Sequence, residues 1–423
     1  MSQLARRRVL AAIVAASIVA ANATLLGLAG AQVGPPPPTP VPPDGRLSPF
    51  PSVLRTPRDP VPAPPVSARA AILADLDDGT VLFRKDAATP RPVASLTKIM
   101  TALVVLRRTG LDDVVRVDPR AVFERDDFGA GSTLGLRAGE RQTVRDLLYA
   151  TILGSANDAA EALAIHVAGS VDAFVALMDR RAEALGMHRT SFASPHGLDD
   201  RGRSTPEDLL RLVRAAYAEP AFGTFAATRF RRIPAPGGKD RRIQNRNALL
   251  WLYAGAFGVK TGTTAGAGAC LAAAAERDGR RLVAIVLGAD REAFSDAAAL
   301  LDHGFAGFTE RTFVRAGEDA GVVEIRGGVV PVVAASALEG LVPSARLDEV
   351  TRSVRVDPDA AFPPAPGDVV ATMQVRVPGL SLGTVPLVVA RVPAPSPEPG
   401  TWWGRGLGAV ADAVADAVAA FVG

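Results

Sequence analysis

Ser95 and Lys98 stand three residues apart in Pro92-Val93-Ala94-Ser95-Leu96-Thr97-Lys98-Ile99-Met100-Thr101-Ala102-Leu103. At the mouth of an apolar-periodic segment, this spacing puts both on one face of a helix's first turn. The helix N-terminus carries partial positive charge, which favours an alkoxide on Ser95. Lys98 can take the hydroxyl proton if burial or a neighbouring cation suppresses its own charge. The lysine count sharpens this reading. Of 47 basic residues only Lys85, Lys98, Lys239 and Lys260 are lysines; the rest are arginine. Arginine cannot give up its proton in a protein, so the few lysines are candidates for work arginine cannot do. Of these, Lys98 alone has a serine three residues before it.

Two further short motifs fit the pair. Ser155-Ala156-Asn157 lies at a predicted break between helices, where short polar side chains can project into a cleft. Lys260-Thr261-Gly262 lies on a predicted strand, where a glycine lets a substrate backbone approach closely. Each is weak alone; the three in this order, on helix, helix break and strand, make a strong signal.

The elements that must hold these residues follow from pattern. Ala70–Leu76 reads as a strand, with Val81–Arg84 its hairpin partner across Asp77-Asp78-Gly79. The Ser95 helix ends near Gly110. Arg145–Leu153 and Asp158–His166 are helical on either side of Gly154–Asn157, and an amphipathic helix runs from Val171 to Leu185. Ser204-Thr205-Pro206 opens another with a capping residue and a first-turn proline. Phe230–Arg246 is a basic, turn-rich hairpin, read more readily as a solvated loop than as an anionic-substrate rim. Strands at Phe257–Thr263, Cys270–Ala275 and Leu282–Leu287 and a closing helix from Ala297 to Phe305 complete an α/β (α+β) sandwich. Short strands at regular spacing then mark a separate all-β domain.

The chain's 423 residues, 48% of them hydrophobic, suffice for two or three domains. A net charge of +3, with no basic helix and no aromatic RNA-binding motif, argues against a nucleic-acid partner. A single cysteine, Cys270, excludes an intrachain disulfide framework and multi-cysteine metal sites; its apolar surroundings make it a small core residue. His166, His188, His196 and His303 show no metal-ligand spacing, so neither metal nor cofactor is expected.

Arg6-Arg7-Arg8 before an apolar run to Ala31 marks an export signal, either cleaved after a small-x-small site or kept as an anchor. The organisation expected is therefore a signal or membrane segment (1–31), a proline-rich linker (32–66), a catalytic domain (67–309), a β-rich domain (310–393), and a linker with an amphipathic C-terminal helix (394–423). Trp402-Trp403 suits that helix to a membrane interface, whereas Asp412 and Asp416 on its polar face oppose anionic headgroups.

The three motifs are the signature of penicillin-binding proteins and class A β-lactamases. From Ala70 to Phe305 the chain resembles the low-molecular-mass D-alanyl-D-alanine carboxypeptidases, as in Ala-Ser-Leu-Thr-Lys-Ile-Met-Thr-Ala-Leu, Gly-Ser-Ala-Asn-Asp-Ala-Ala, Ser-Pro-His-Gly-Leu and Gly-Val-Lys-Thr-Gly-Thr-Thr. The resemblance implies a transpeptidase-type catalytic fold, an acyl-enzyme on Ser95, and Lys98 as proton acceptor. It implies that Ser155 relays a proton to the leaving amine and that Asn157 holds the substrate's peptide group. Lys260 would keep the potential positive, Thr261 and Thr263 would bind the terminal carboxylate beside Gly262, and Arg291 matches a carboxylate-side arginine loosely. The backbone N–H groups of Ser95 and Thr263 would form the oxyanion hole. Implied partners are peptidoglycan stem peptides, β-lactams as covalent inhibitors, and the outer face of the cytoplasmic membrane or the cell wall. Ala156 and Thr263 replace residues that many members carry as glycine and some as histidine.

Three rivals remain at this stage: a transpeptidase or endopeptidase on the same fold, a β-lactamase, and a non-catalytic cell-wall-binding protein. The β-lactamase is disfavoured because Glu161 sits inside a helix at the wrong spacing for a water-activating carboxylate. The binding protein is disfavoured because Ser95 and Lys98 are both present.

Overall fold

The computed structural model describes residues 63–123, 132–290, 292–378 and 380–390. The N-terminal segment, most of the linker, Arg291 and the C-terminal helix lie outside these residues. The chain divides into two compact units, with the change at Leu301/Asp302.

The first unit is built on a five-stranded antiparallel sheet. Its strands are β1 (Ala70–Asp75), β2 (Val81–Lys85), β7 (Ala256–Thr264), β8 (Gly268–Arg277) and β9 (Arg280–Ala289), in the order β2-β1-β9-β8-β7. Between these come two small hairpins, β3 (Val114–Arg116) with β4 (Arg141–Thr143) and β5 (Phe230–Ile233) with β6 (Arg241–Gln244). The central strands are continuous apolar runs rather than alternating ones: Leu271–Ala275 and Leu282–Leu287 are wholly buried. Such strands are covered on both faces. The β8–β9 turn places Asp278 and Gly279 at positive φ (52° and 79°), as the Asp-Gly pair predicts.

The helices are α1 (Thr97–Leu106), α2 (Val144–Ile152), α3 (Asn157–Ala168), α4 (Val171–Ala184), α5 (Pro206–Tyr217), α6 (Pro220–Ala227), α7 (Leu249–Leu252) and α8 (Ala293–Gly307). Every residue of α1 from Thr97 to Val105 is buried, so this helix is the spine of the unit. Thr143 and Thr205 cap α2 and α5, each side chain accepting the N–H three residues on at 3.1 Å, and Pro206 occupies the first turn of α5. Gly154–Ala156 separate α2 from α3, as expected.

The second unit is all-β. Its five-stranded sheet runs β11 (Asp319–Ile325), β12 (Gly328–Ala334), β16 (Leu380–Val389), β15 (Val369–Val377), β14 (Thr351–Val356). A two-stranded ribbon joins β10 (Phe308–Val314) to β13 (Leu338–Pro343). Val332, Val342, Val370, Val375, Val385 and Leu387 centre its core. The sequence pattern missed β10 and β13. β10 exposes three consecutive polar residues, Glu310–Thr312, and β13 carries Glu339 and Gly340, so neither shows clean alternation.

Candidate active site

Ser95 sits on a single 3-10 turn, Ala94–Leu96, that leads directly into α1. The turn is strained: Ala94, a residue with a Cβ, takes φ +49°. What holds it is close packing from two sides. A Cβ built on Gly262 of β7 would lie 2.9 Å from Ser95 N and 3.1 Å from Val93 O. One built on Gly197 (φ +79°) would fall 2.0 Å from Ala94 O. Glycine at both positions lets strand and loop press their backbones against the nucleophile's turn.

Lys98 is fully buried one turn on, and Nζ has three neighbours. They are Ser95 Oγ at 2.9 Å, Asn157 Oδ1 at 2.7 Å and the main-chain oxygen of His196 at 2.7 Å. The two carbonyl-type oxygens can only accept. A neutral amine has two N–H groups for them and one lone pair, which then points at the Ser95 hydroxyl. Three acceptors would equally suit an ammonium, so charge decides. Burial, then Lys260, then Arg246 hold Lys98 well below the ordinary lysine range, against a weaker opposing pull from Asp158. Lys98 is a buried amine with suppressed charge, aimed at Ser95.

Lys260, on β7 and equally buried, donates to Thr261 O at 2.8 Å. Burial and Arg246 bring its ammonium down to about 7. Thr261 is half-buried, and Thr263 is exposed on the same strand with its hydroxyl donating to Gly262 O at 2.8 Å. β7 is the edge strand of its sheet, so its outer backbone faces the cleft unpaired within the sheet. Ser155 is buried at the α2–α3 break with φ +60°, a strained backbone for a non-glycine residue.

The structure thus joins Ser95, Lys98 and Asn157 directly and sets Gly262 against Ser95, with Lys260 close enough to shift Lys98. Ser155 stands two residues before Asn157. Arg291 lies outside the described residues. Asn157 does more than the motif suggested: its Oδ1 orients Lys98.

Three contributors were not picked out from sequence. Asp158, almost fully buried, accepts the backbone N–H groups of Leu134, Gly135 and Leu136 at 2.8–3.0 Å, tying that loop to the start of α3. Arg246 projects from the basic hairpin yet is felt by both lysines. His196 supplies the main-chain carbonyl to which Lys98 donates. Its ring is held by Glu161 (Nε2–Oε2 3.4 Å) and by the Leu198 N–H, which Nδ1 accepts at 3.2 Å. Burial holds this imidazole below its usual range, and because Nδ1 accepts from Leu198 the neutral ring carries its proton on Nε2, facing Glu161. Cys270 is buried as expected, its thiol pushed up to about 11.

A sequence profile described as D-alanyl-D-alanine carboxypeptidase (Peptidase_S11) matches residues 58–291. The chain belongs to this family. It is 35% identical over 366 residues to the Escherichia coli D-alanyl-D-alanine carboxypeptidase DacC, covering 82% of this chain and 88% of that protein. It is 39% identical over 254 residues to DacB2 of Mycobacterium tuberculosis, covering 58% of this chain and 85% of that protein. Among solved structures, penicillin-binding protein 6B of E. coli aligns with TM-score 0.65 at 31% identity, covering 80% of this chain and 99% of that one. A mutant of the Streptomyces K15 DD-transpeptidase aligns at TM-score 0.54 and 34% identity, covering 57% and 99%. The fold is that of the low-molecular-mass penicillin-binding proteins, an α/β catalytic unit followed by an all-β one.

The charge balance predicts a pH profile. Lys98 acts as a base only when neutral, so acylation falls as pH drops through its depressed pKa. Lys260 is cationic only below about 7 in the free enzyme, so capture of a substrate carboxylate weakens above that value. The expected kcat/KM profile for a carboxylate-ended peptide is a bell. Amidating the peptide's C-terminus should remove most of the alkaline limb and leave the acid limb. An alkaline limb unchanged by amidation would contradict this role for Lys260.

Proposed function

We propose that this chain is a serine-type D-Ala-D-Ala carboxypeptidase that removes the terminal D-alanine from peptidoglycan pentapeptide stems. The observation that carries the reading is the Ser95–Lys98–Asn157 constellation, a nucleophile 2.9 Å from a fully buried amine that two acceptors orient.

In the forward half-reaction, Lys98 takes the proton of Ser95 as Oγ attacks the carbonyl between the two D-alanines. The backbone N–H groups of Ser95 and Thr263 stabilise the resulting oxyanion, at about 2.7–4 kcal/mol per donor. Ser155 passes the proton to the departing amine nitrogen, and D-alanine leaves as an ester forms on Ser95. Water then attacks the ester as Lys98 accepts its proton, the acyl C–Oγ bond breaks, and Lys98 returns the proton to Ser95 Oγ, releasing the shortened peptide. Asn157 and the free edge of β7 align the stem peptide, with Lys260, Thr261 and Thr263 at its terminal carboxylate. β-Lactams acylate Ser95 by the same first step.

The catalytic domain, 67–309, carries this chemistry, and the β domain, 310–393, serves as scaffold or partner surface. The N-terminal segment exports the protein to the outer face of the cytoplasmic membrane or the cell wall. Among the described residues no single helix is long and apolar enough to cross a membrane.

The rival on the same fold passes the acyl group to an amine, as the name of the Streptomyces DD-transpeptidase indicates for that protein. Incubating a D-Ala-D-Ala peptide with increasing glycine or D-amino acid distinguishes the two. The expected result is hydrolysis product throughout. Predominant amide product at millimolar acceptor would move the assignment to transpeptidase.

A further inference from the structure

We propose that the outward face of the β5–β6 hairpin is a second binding surface, for a carboxylate-bearing strand of the peptidoglycan polymer whose end occupies the cleft. This rests on the carboxypeptidase reading for the identity of the polymer.

The hairpin's two faces are treated differently by the sequence. On the inward side the arginines have acids: Arg231 pairs with Asp146 at 3.0 Å and Arg241 with Glu140 at 2.6 Å. On the outward side Arg232 lies directly across the ladder from Arg242, both exposed. Neither makes an ion pair with another described residue. Like charges directly opposite on antiparallel strands are destabilising. Nothing in the hairpin's own fold rewards this pair, but an anion bridging both guanidiniums would. Planar forked donors suit a carboxylate in particular.

Aromatic surface flanks the pair. The next cross-strand position holds Phe230, 62% exposed, opposite Gln244. The Phe230 ring meets exposed Trp251 edge to face at 5.6 Å, and the Arg229 guanidinium lies over the same indole. Exposed rings beside exposed guanidiniums bind ligands that combine apolar faces with carboxylates, as sugar–peptide strands do. A shallow open groove runs over the hairpin, lined by Phe230, Arg231, Arg232, Arg242, Ile243 and Gln244.

The hairpin abuts the helix break that carries Ser155. Ile243 packs over Gly154, where an added Cβ would lie 3.0 Å from its Cγ2, and the Arg246 N–H donates to Leu153 O at 3.2 Å. Both contacts fall just before Ser155. A ligand engaging hairpin and cleft together is therefore longer than a stem terminus, which favours the substrate polymer over a lipid surface.

The test uses the full chain carrying Ser95→Ala, which binds without turnover, and purified peptidoglycan stripped of phosphate polymers. Adding Arg232→Gln with Arg242→Gln should weaken co-sedimentation about tenfold. In the Ser95 enzyme the same two changes should leave kcat/KM on a short D-Ala-D-Ala peptide within about twofold. Arg232→Lys with Arg242→Lys should restore much of the binding. Unchanged co-sedimentation overturns the proposal, as does an equal loss on the short peptide. So does loss of binding to phosphatidylglycerol vesicles with peptidoglycan binding retained, which would assign the face to a membrane. If the wild-type chain cleaves neither substrate, the carboxypeptidase reading fails while co-sedimentation still decides the surface.

Discussion

Replacing Lys98 by arginine should abolish acylation by a β-lactam, with a loss of about 10²–10⁴-fold in the second-order rate, the range expected for removing a positioned general base. Arginine keeps much of the length but is permanently cationic, so it cannot accept the serine's proton. Lys98→Met should lose activity to the same extent for the same reason, although its other consequences differ. Methionine removes the buried amine and leaves the buried main-chain oxygen of His196 without the Lys98 donor. Each buried acceptor left unmade costs about 1–3 kcal/mol, so the methionine variant should also melt at lower temperature. Stopped-flow acylation beside a thermal melt separates the two effects. Near-wild-type acylation by either folded variant would place the base elsewhere and remove the basis of the mechanism.

Gly262→Ala is expected to be nearly as damaging, although it changes no ionisable group. The added methyl would sit 2.9 Å from Ser95 N, closer than side-chain carbons approach a neighbouring atom. Strand β7 or the Ala94–Leu96 turn must shift by several tenths of an ångström. The N–H of Ser95 is one of the two proposed oxyanion donors, and losing one such donor costs about 10²–10³-fold in kcat. Because Lys98 and Ser95 remain, the acid limb of the pH profile should stay where it is while the rate at every pH falls. A shifted acid limb at unchanged maximal rate would mean the glycine tunes Lys98 instead.

Much of this site was legible because its signal is local. A serine and a lysine three residues apart ahead of an apolar segment declare themselves, as does a run such as Leu271–Ala275 closed by Asp278-Gly279. The rest depends on contacts between distant segments. That Lys98 hands a hydrogen bond to the His196 carbonyl joins residues 98 positions apart, and nothing in Ser-Pro-His-Gly-Leu reports a main-chain acceptor. Arg246 reads as one more charge in a basic hairpin, yet its field reaches both lysines. The left-handed backbone at Ala94 and Ser155 has no signature either, since neither is a glycine or asparagine. Those two residues are held by their surroundings, Ala94 by Gly197 and Gly262, and Ser155 between two helices. Local consistency gave way at Ala94, beside the proposed nucleophile, and at Ser155, as is common at functional sites.

Ser95 is the proposed nucleophile of a D-alanine-releasing enzyme. The most direct measurement is mass spectrometry of a peptide ending in D-Ala-D-Ala after incubation with the full chain, run beside Ser95→Ala. Loss of a single alanine residue with the wild type and an intact peptide with the variant is the result predicted. An intact peptide with both, from protein shown to be folded, would contradict it and leave a protein that binds cell-wall peptides without cutting them.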